Sequence, residues 1–279
     1  TAKTTGTVTL DNAQTISGNG SDVTAALITN AVTLSAASNA TVTGDITAEV
    51  AGNIANVSSI TAAFSGTITD TLANLADSGS ITTNFSRARG DDGDVDVVVS
   101  DETGTLSAAD LGAVTAKTTG TVTLDNAQTI SGSGAELIAA LKTDPATLSA
   151  ASTATITSAV TAAVAAEIAA ITDITLESSG DGSITDTMAN LLNGGETAIS
   201  TNYSNARAED GDINVVISDG TGTLEAAKLS LITAKTTGTV TLENAQTITG
   251  NGSQVTAALI TDAVTLSAAS NATVSGNIT

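Results

Sequence analysis

The chain has 279 residues, three aromatic side chains, no His, Cys or Trp, and a formal net charge of −21 at pH 7 from 29 acidic against 8 basic residues. Such acidity opposes nucleic acid and anionic membrane surfaces as partners, and the missing His and Cys exclude Ser–His and Cys–His nucleophile pairs. No apolar run nears the roughly 18 residues of a membrane span.

The chain opens with TAKTTGTVTLDNAQTISG, and nearly the same words return at Thr115 and Thr233. A β-branched phrase around Ile16 reads as a strand, followed by a helix-like stretch at 21–29 and a second strand at 31–35. Further strands are expected at 59–63, 80–84 and 120–124, with helix-like stretches at 70–77 and 105–114. Each helical stretch opens on Ser, Asp or Thr, whose side-chain oxygens satisfy the free amides of a first turn.

The strand phrase recurs with apolar centres at Ile16, Val42, Ile68, Val99, Ile130, Ile156, Ile184, Ile217, Ile248 and Val274, in steps of 26 to 33 residues. Four steps make one long repeat. Residues 1–47 and 233–279 differ at only six positions, all small polar changes such as Asp11 against Glu243. The fold class expected is mainly β: a right-handed parallel β-solenoid of about ten coils, with short helical turns on one side. Stacked strands lie about 4.8 Å apart, whereas packed helices need roughly 8–10 Å. The helical stretches are therefore expected to shrink mostly to single turns, and the ten centres to stack in one buried column. The divisions expected are long repeats at 1–114 and 115–232 and the start of a third at 233–279, in one solenoid that is a fragment of a longer array.

The stretches ITDTLANLADSGSIT (68–82), ITDTMANLL (184–192) and DVVVSDETGTLSAADL (96–111) resemble repeats of giant bacterial extracellular and cell-surface proteins. They are most similar to the Thr/Ala-rich surface proteins of marine cyanobacteria, including those linked to non-flagellar swimming. The resemblance implies an extracellular or cell-surface location, a structural or adhesive role and no catalytic residues.

Two acidic stretches, RGDDGDVDVVVSD at 89–101 and RAEDGDINVVISD at 207–219, hold equivalent places in successive long repeats. Asp91, Asp92, Asp94 and Asp96, with Glu209, Asp210, Asp212 and Asn214, are candidate Ca²⁺ ligands, since hard cations want several oxygens. The spacing fits no EF-hand, and a plain strand with Val95, Val97 and Val99 inward is the competing reading. Arg89–Gly90–Asp91 spells an adhesion tripeptide, but its counterpart is Arg207–Ala208–Glu209. Chance explains the triplet.

Ser or Thr follows every apolar centre, so stacked coils would carry hydroxyl columns like those of an ice-binding face; Thr also simply suits exposed strand positions. The function expected is a non-enzymatic structural one, a segment of an extracellular bacterial filament or surface layer. The alternative is a binding module, an adhesin or ice binder using its Ser/Thr columns. Further copies of the repeat, in the same chain or end to end, are the expected partners, with no nucleic acid and no membrane insertion.

Overall fold

A computed structural model describes residues 6–30, 32–262 and 264–276. Helix and strand take nearly equal shares of it, so the chain is mixed α/β rather than mainly β. Contacts divide the chain into two compact units, one of residues 1–129 and 139–151, the other of 130–138 and 152–279.

The first unit holds three parallel ladders. Thr9–Leu10 pairs with Thr33–Leu34. Thr15–Asn19, Ser38–Thr43 and Ile60–Phe64 form the second. The third runs through Ile68–Asp70, Val97–Val99, Val122–Leu124 and Thr147–Leu148. The ladders are staggered: Ile46 already bridges to Ile68 before the second ladder has ended. Inward residues are aliphatic, with Val42, Ile68, Val97, Val99 and Leu124 at most 1% exposed.

The second unit repeats this plan. Ala159–Val160, Ser183–Asp186, Asn214–Ile217, Val240–Leu242 and Thr265–Leu266 make a five-stranded parallel sheet. Gly222–Glu225, Gln246–Asn251 and Asn271–Ser275 make another, and Ser152–Ile156 pairs with Ile174–Ser178. The antiparallel pairings among the described residues are two short ones, Ala76–Asp77 with Ser80–Ile81 and Leu192 with Ile199.

The expected single column of centres does not form. Within one ladder Ile16 faces Ala40, while Val42 faces Gly18 and Phe64. Ile68 and Val99 belong to a different ladder and are themselves out of step, Ile68 facing Val97. Hydrogen-bonded neighbours stand 24 residues apart at Thr15 and Asn39, 22 at Ser38 and Ile60, and 29 at Ile68 and Val97. The true winding is thus shorter than the spacing of similar words. Eight of the ten centres are nonetheless buried; Ile16 and Val274 are half-buried.

The helices are also longer than single turns. Ala48–Ala55, Ala108–Thr115, Ala162–Ala169 and Ala226–Thr233 have eight residues, and Thr83–Asp91 and Thr201–Glu209 have nine. Side-chain oxygens of Thr47, Thr82, Ser107, Thr161 and Ser200 cap five of these six helices. Small residues let helices crowd a layer set by strand spacing. A Cβ on Gly52 would stand 2.6 Å from Asn84 Cα, and one on Gly134 would stand 2.7 Å from Val160 Cγ1. Ala48, Ala51, Ala88, Ala162, Ala165 and Ala206 are all buried on these helices.

The helical reading of 21–29 holds as an α-turn, Gly20–Thr24, running into a π-helix, Ala25–Thr29. The strand expected at 80–84 shrinks to Ser80–Ile81, because Thr82 caps the helix Thr83–Asp91.

Candidate functional site

The acidic stretches sit where a ladder ends. Ile60–Phe64 is the last strand of its ladder, so its outer amides lack a neighbouring strand. Asp91 Oδ2 accepts from the Ala62 amide at 2.8 Å, and Asp92 Oδ2 from the Phe64 amide at 2.6 Å. Two carboxylates thereby close a sheet edge. In the second unit Asp210 lies beside Ser178, at the end of the equivalent edge strand Ile174–Ser178, and its Oδ2 is buried without a hydrogen-bond partner.

Asp96 and Asn214 serve a different strand start. Asp96 Oδ1 accepts from the Thr121 amide and hydroxyl at 2.6 and 2.8 Å, and Asn214 Oδ1 from those of Thr239 at 2.9 and 2.8 Å. Asp94 and Asp212 lie beside Asp92 and Asp210 respectively. Glu209 ends the helix Thr201–Glu209 and is exposed. The structure therefore spreads the eight candidate Ca²⁺ ligands over edge closure, strand starts and a helix end. Among the described residues no three His, Cys, Asp or Glu side chains gather into one group. The competing strand reading matches the local backbone: Val95, Val97 and Val99 are each 1% exposed, and Val97–Val99 is a strand. Asp91 of the Arg89–Gly90–Asp91 triplet is the last residue of a helix and is engaged by the Ala62 amide.

A second set of carboxylates emerges that composition alone does not reveal. Asp70 Oδ2 accepts from the Ala48 amide at 3.0 Å, and Asp101 Oδ2 from that of Leu72 at 2.6 Å. Asp186 serves Ala162 at 3.1 Å and Asp219 serves Met188 at 2.6 Å. Each of the four amides opens a helix one winding earlier in the chain. Free amides and the helix dipole both favour a negative charge there. The sequence signal is the Asp that ends the strand phrase in ITD, VSD and ISD, where other coils have Gly or Ser.

Burial pushes the Asp92 carboxyl up, the Phe64 amide pulls it down, and the adjacent Asp94 carboxylate pushes it up again; the net direction is upward. Asp210, only 5% exposed, is raised by burial and by Asp212 against the opposing pull of Ser178. A carboxyl raised above its unfolded value favours folding at low pH, and that benefit is lost as pH rises through the folded value. Asp45 and Glu136 run the other way, lowered by hydrogen bonds from Thr67 and Ser133, and their benefit is lost as pH falls. The double variant Asp92→Asn, Asp210→Asn is therefore expected to gain melting temperature over the parent at pH 7 and to gain less at pH 4. Paired thermal melts at the two pH values check the sign.

The hydroxyl columns are interrupted. One ladder reads Thr69, Val98, Thr123, Thr147, and its counterpart reads Thr185, Val216, Thr241, Thr265.

No protein-family model and no curated protein matches the chain. Among solved structures it is similar to a plant peptide hormone receptor, RGFR1 in complex with RGF2, at 14% identity and a TM-score of 0.21. The match covers 95% of this chain and spans 40% of the receptor chain. No helix among the described residues is long and apolar enough to cross a membrane.

Proposed function

We propose that this chain is a stretch of a repetitive structural array, a right-handed solenoid of about ten coils belonging to an extracellular bacterial filament or surface layer. The mechanism is geometric. Backbone ladders and a thin aliphatic core extend from coil to coil, and carboxylates fasten four of the helix starts to the next winding.

The observation that carries this reading is a comparison of nearly identical words in two settings. In the first copy Ala40 and Val42 are fully buried, covered by the strand Ile60–Phe64. In the last copy the same words leave Ala272 exposed and Val274 half-buried, with Ile260 73% and Leu266 41% exposed. The reverse holds on the other side. Leu242 and Ile248 are buried against Ile217 and Leu224, while their counterparts Leu10 and Ile16 are half-buried. The same words are thus buried where a further coil lies beside them, which supports coil-to-coil stacking as the source of the core, and the acidic surface would keep an array of such coils soluble.

Chains carrying two, four and eight long repeats test this. Melting temperature should climb with repeat number and level off, as nearest-neighbour coupling requires. Particle length in electron micrographs should grow by about 19 Å per four-coil repeat. Melting independent of repeat number, or separate beads, would remove the proposal.

A further inference from the structure

Four of the eight basic residues lie in two equivalent clefts. One, of about 580 Å³, is lined by Arg89, Asp94, Lys117, Thr118 and Thr119; the other, of about 520 Å³, by Arg207, Asp212, Lys235, Thr236 and Thr237. Each lies within a single unit. Its arginine comes from the last turn of a nine-residue helix, and its lysine from the turn after the following eight-residue helix.

The floor is built the same way twice. Thr118 Oγ1 donates to the Val95 carbonyl at 2.6 Å and accepts from the Gly120 amide at 3.0 Å. Thr236 Oγ1 donates to the Ile213 carbonyl at 2.7 Å and accepts from the Gly238 amide at 2.9 Å. The amides of Thr119 and Thr237 donate to Gly93 and Gly211 at 3.0 Å each. In the first cleft Arg89 Nη1 also donates to the Lys117 carbonyl at 3.3 Å, holding the guanidinium beside the lysine.

Charge makes these clefts unusual. Acidic residues outnumber basic ones 29 to 8, yet none of these four cations forms an ion pair among the described residues. Arg89 and Arg207 each keep a buried Nε with no hydrogen-bond partner. Lys117 and Lys235 are exposed. By contrast Lys228 is paired with both Glu196 and Glu225. Each cleft thus sets two cations against the single carboxylate of Asp94 or Asp212, an excess of positive charge repeated in both units.

We infer that each cleft is a subsite for one acidic sugar residue, a hydroxylated ring bearing a single carboxylate. Arginine and lysine supply paired donors for the carboxylate. Asp94 or Asp212 supplies an acceptor for ring hydroxyls, while the threonines hold the floor in place. A densely charged polyanion fits less well, because the carboxylate in the cleft and the net charge of −21 repel it. A fixed floor limits the ordering cost of binding. The inference stands apart from the array reading, since each cleft is complete within its own unit; in an array the clefts would act together.

Titration of the full chain with digalacturonate, followed by NMR or calorimetry, tests it. Two equivalent sites per chain are expected, with affinity falling several-fold between 20 and 300 mM salt. Lys117→Glu and Lys235→Glu should each remove one site, and together both, with an unchanged melting temperature. Lys117→Gln with Lys235→Gln, which removes the charge but keeps a polar hydrogen-bonding end, should weaken both sites at least threefold. Four results would overturn the inference: no binding at 20 mM ligand, unaltered binding in the double glutamate variant, equal binding of inorganic sulfate, or lysine-dependent self-association without sugar. The last would assign the clefts to carboxylates of a second copy.

Discussion

Asp70→Ala is expected to destabilise the protein by about 3–5 kcal/mol, because one side chain satisfies three donors. Its carboxylate accepts from the amides of Ala48 and Thr71 at 3.0 and 2.9 Å, and from Asn74 Nδ2 at 2.6 Å. Asp70 is 9% exposed and Ala48 fully buried, so water cannot readily replace the lost oxygens. For a chain of this size the melting temperature should fall by about 10 °C. Asp70→Asn keeps an acceptor oxygen and should lose roughly half as much. Asp186→Ala should behave alike, since Asp186 contacts Ala162, Thr187 and Asn190 in the same manner. Asp45→Ala is the control: its oxygen serves only the exposed Thr67 pair, and its loss should be far smaller. Equal losses at Asp70 and Asp45 in denaturant melts would show that helix-start fastening contributes little.

Phe85→Ala carries the other large effect. Phe85 and Tyr203 hold equivalent places on the two nine-residue helices, and both are 0% exposed. They are the largest fully buried side chains in a core made mostly of Ala, Val, Ile and Leu. Small neighbours collapse poorly around a lost ring, so Phe85→Ala should cost about 3–5 kcal/mol. Tyr203→Phe removes only a 3.4 Å hydrogen bond to the Ile232 carbonyl and should cost about 1 kcal/mol. Burial has already pushed that phenol up to about 12, so its ionisation plays no part near neutral pH. Chemical denaturation with a constant slope distinguishes the two losses.

Much of this architecture is legible in the order of residues. Repetition announces coils, β-branched phrases announce strands, and Thr47, Thr82 or Ser107 marks a helix start. Register is another matter. Ile16 and Val42 look equivalent as words, but hydrogen bonding matches Ile16 to Ala40. Phe64, one of only three aromatics, is where Val42 actually rests. Turn lengths between strands decide that offset, and the Ala/Thr-rich words on either side fit several registers nearly as well. Helix length is hard to read for a related reason. Gly52 looks like weak helix content, yet it is what allows a helix to lie against Asn84. The acidic runs advertise oxygen donors without saying which amides stand opposite. Asp91 and Asp92 reach back 29 and 28 residues to Ala62 and Phe64, a span no local pattern encodes. The Arg–Lys clefts are hidden in the same way, since Arg89 and Lys117 meet only after a full winding.

The closed edge at Ile60–Phe64 bears on how such molecules live side by side. A strand that ends a ladder invites any neighbouring chain with a similar rhythm, and repeats are rich in such chains. In a crowded coat, thousands of near-identical windings would meet at these places and could zip sideways into insoluble mats. Asp91 and Asp92 occupy the very amides through which that zippering would begin, and they present further charge to an approaching acidic neighbour. In the array proposed above, this edge would be barred to sideways pairing, so fibres would shear past one another rather than fuse.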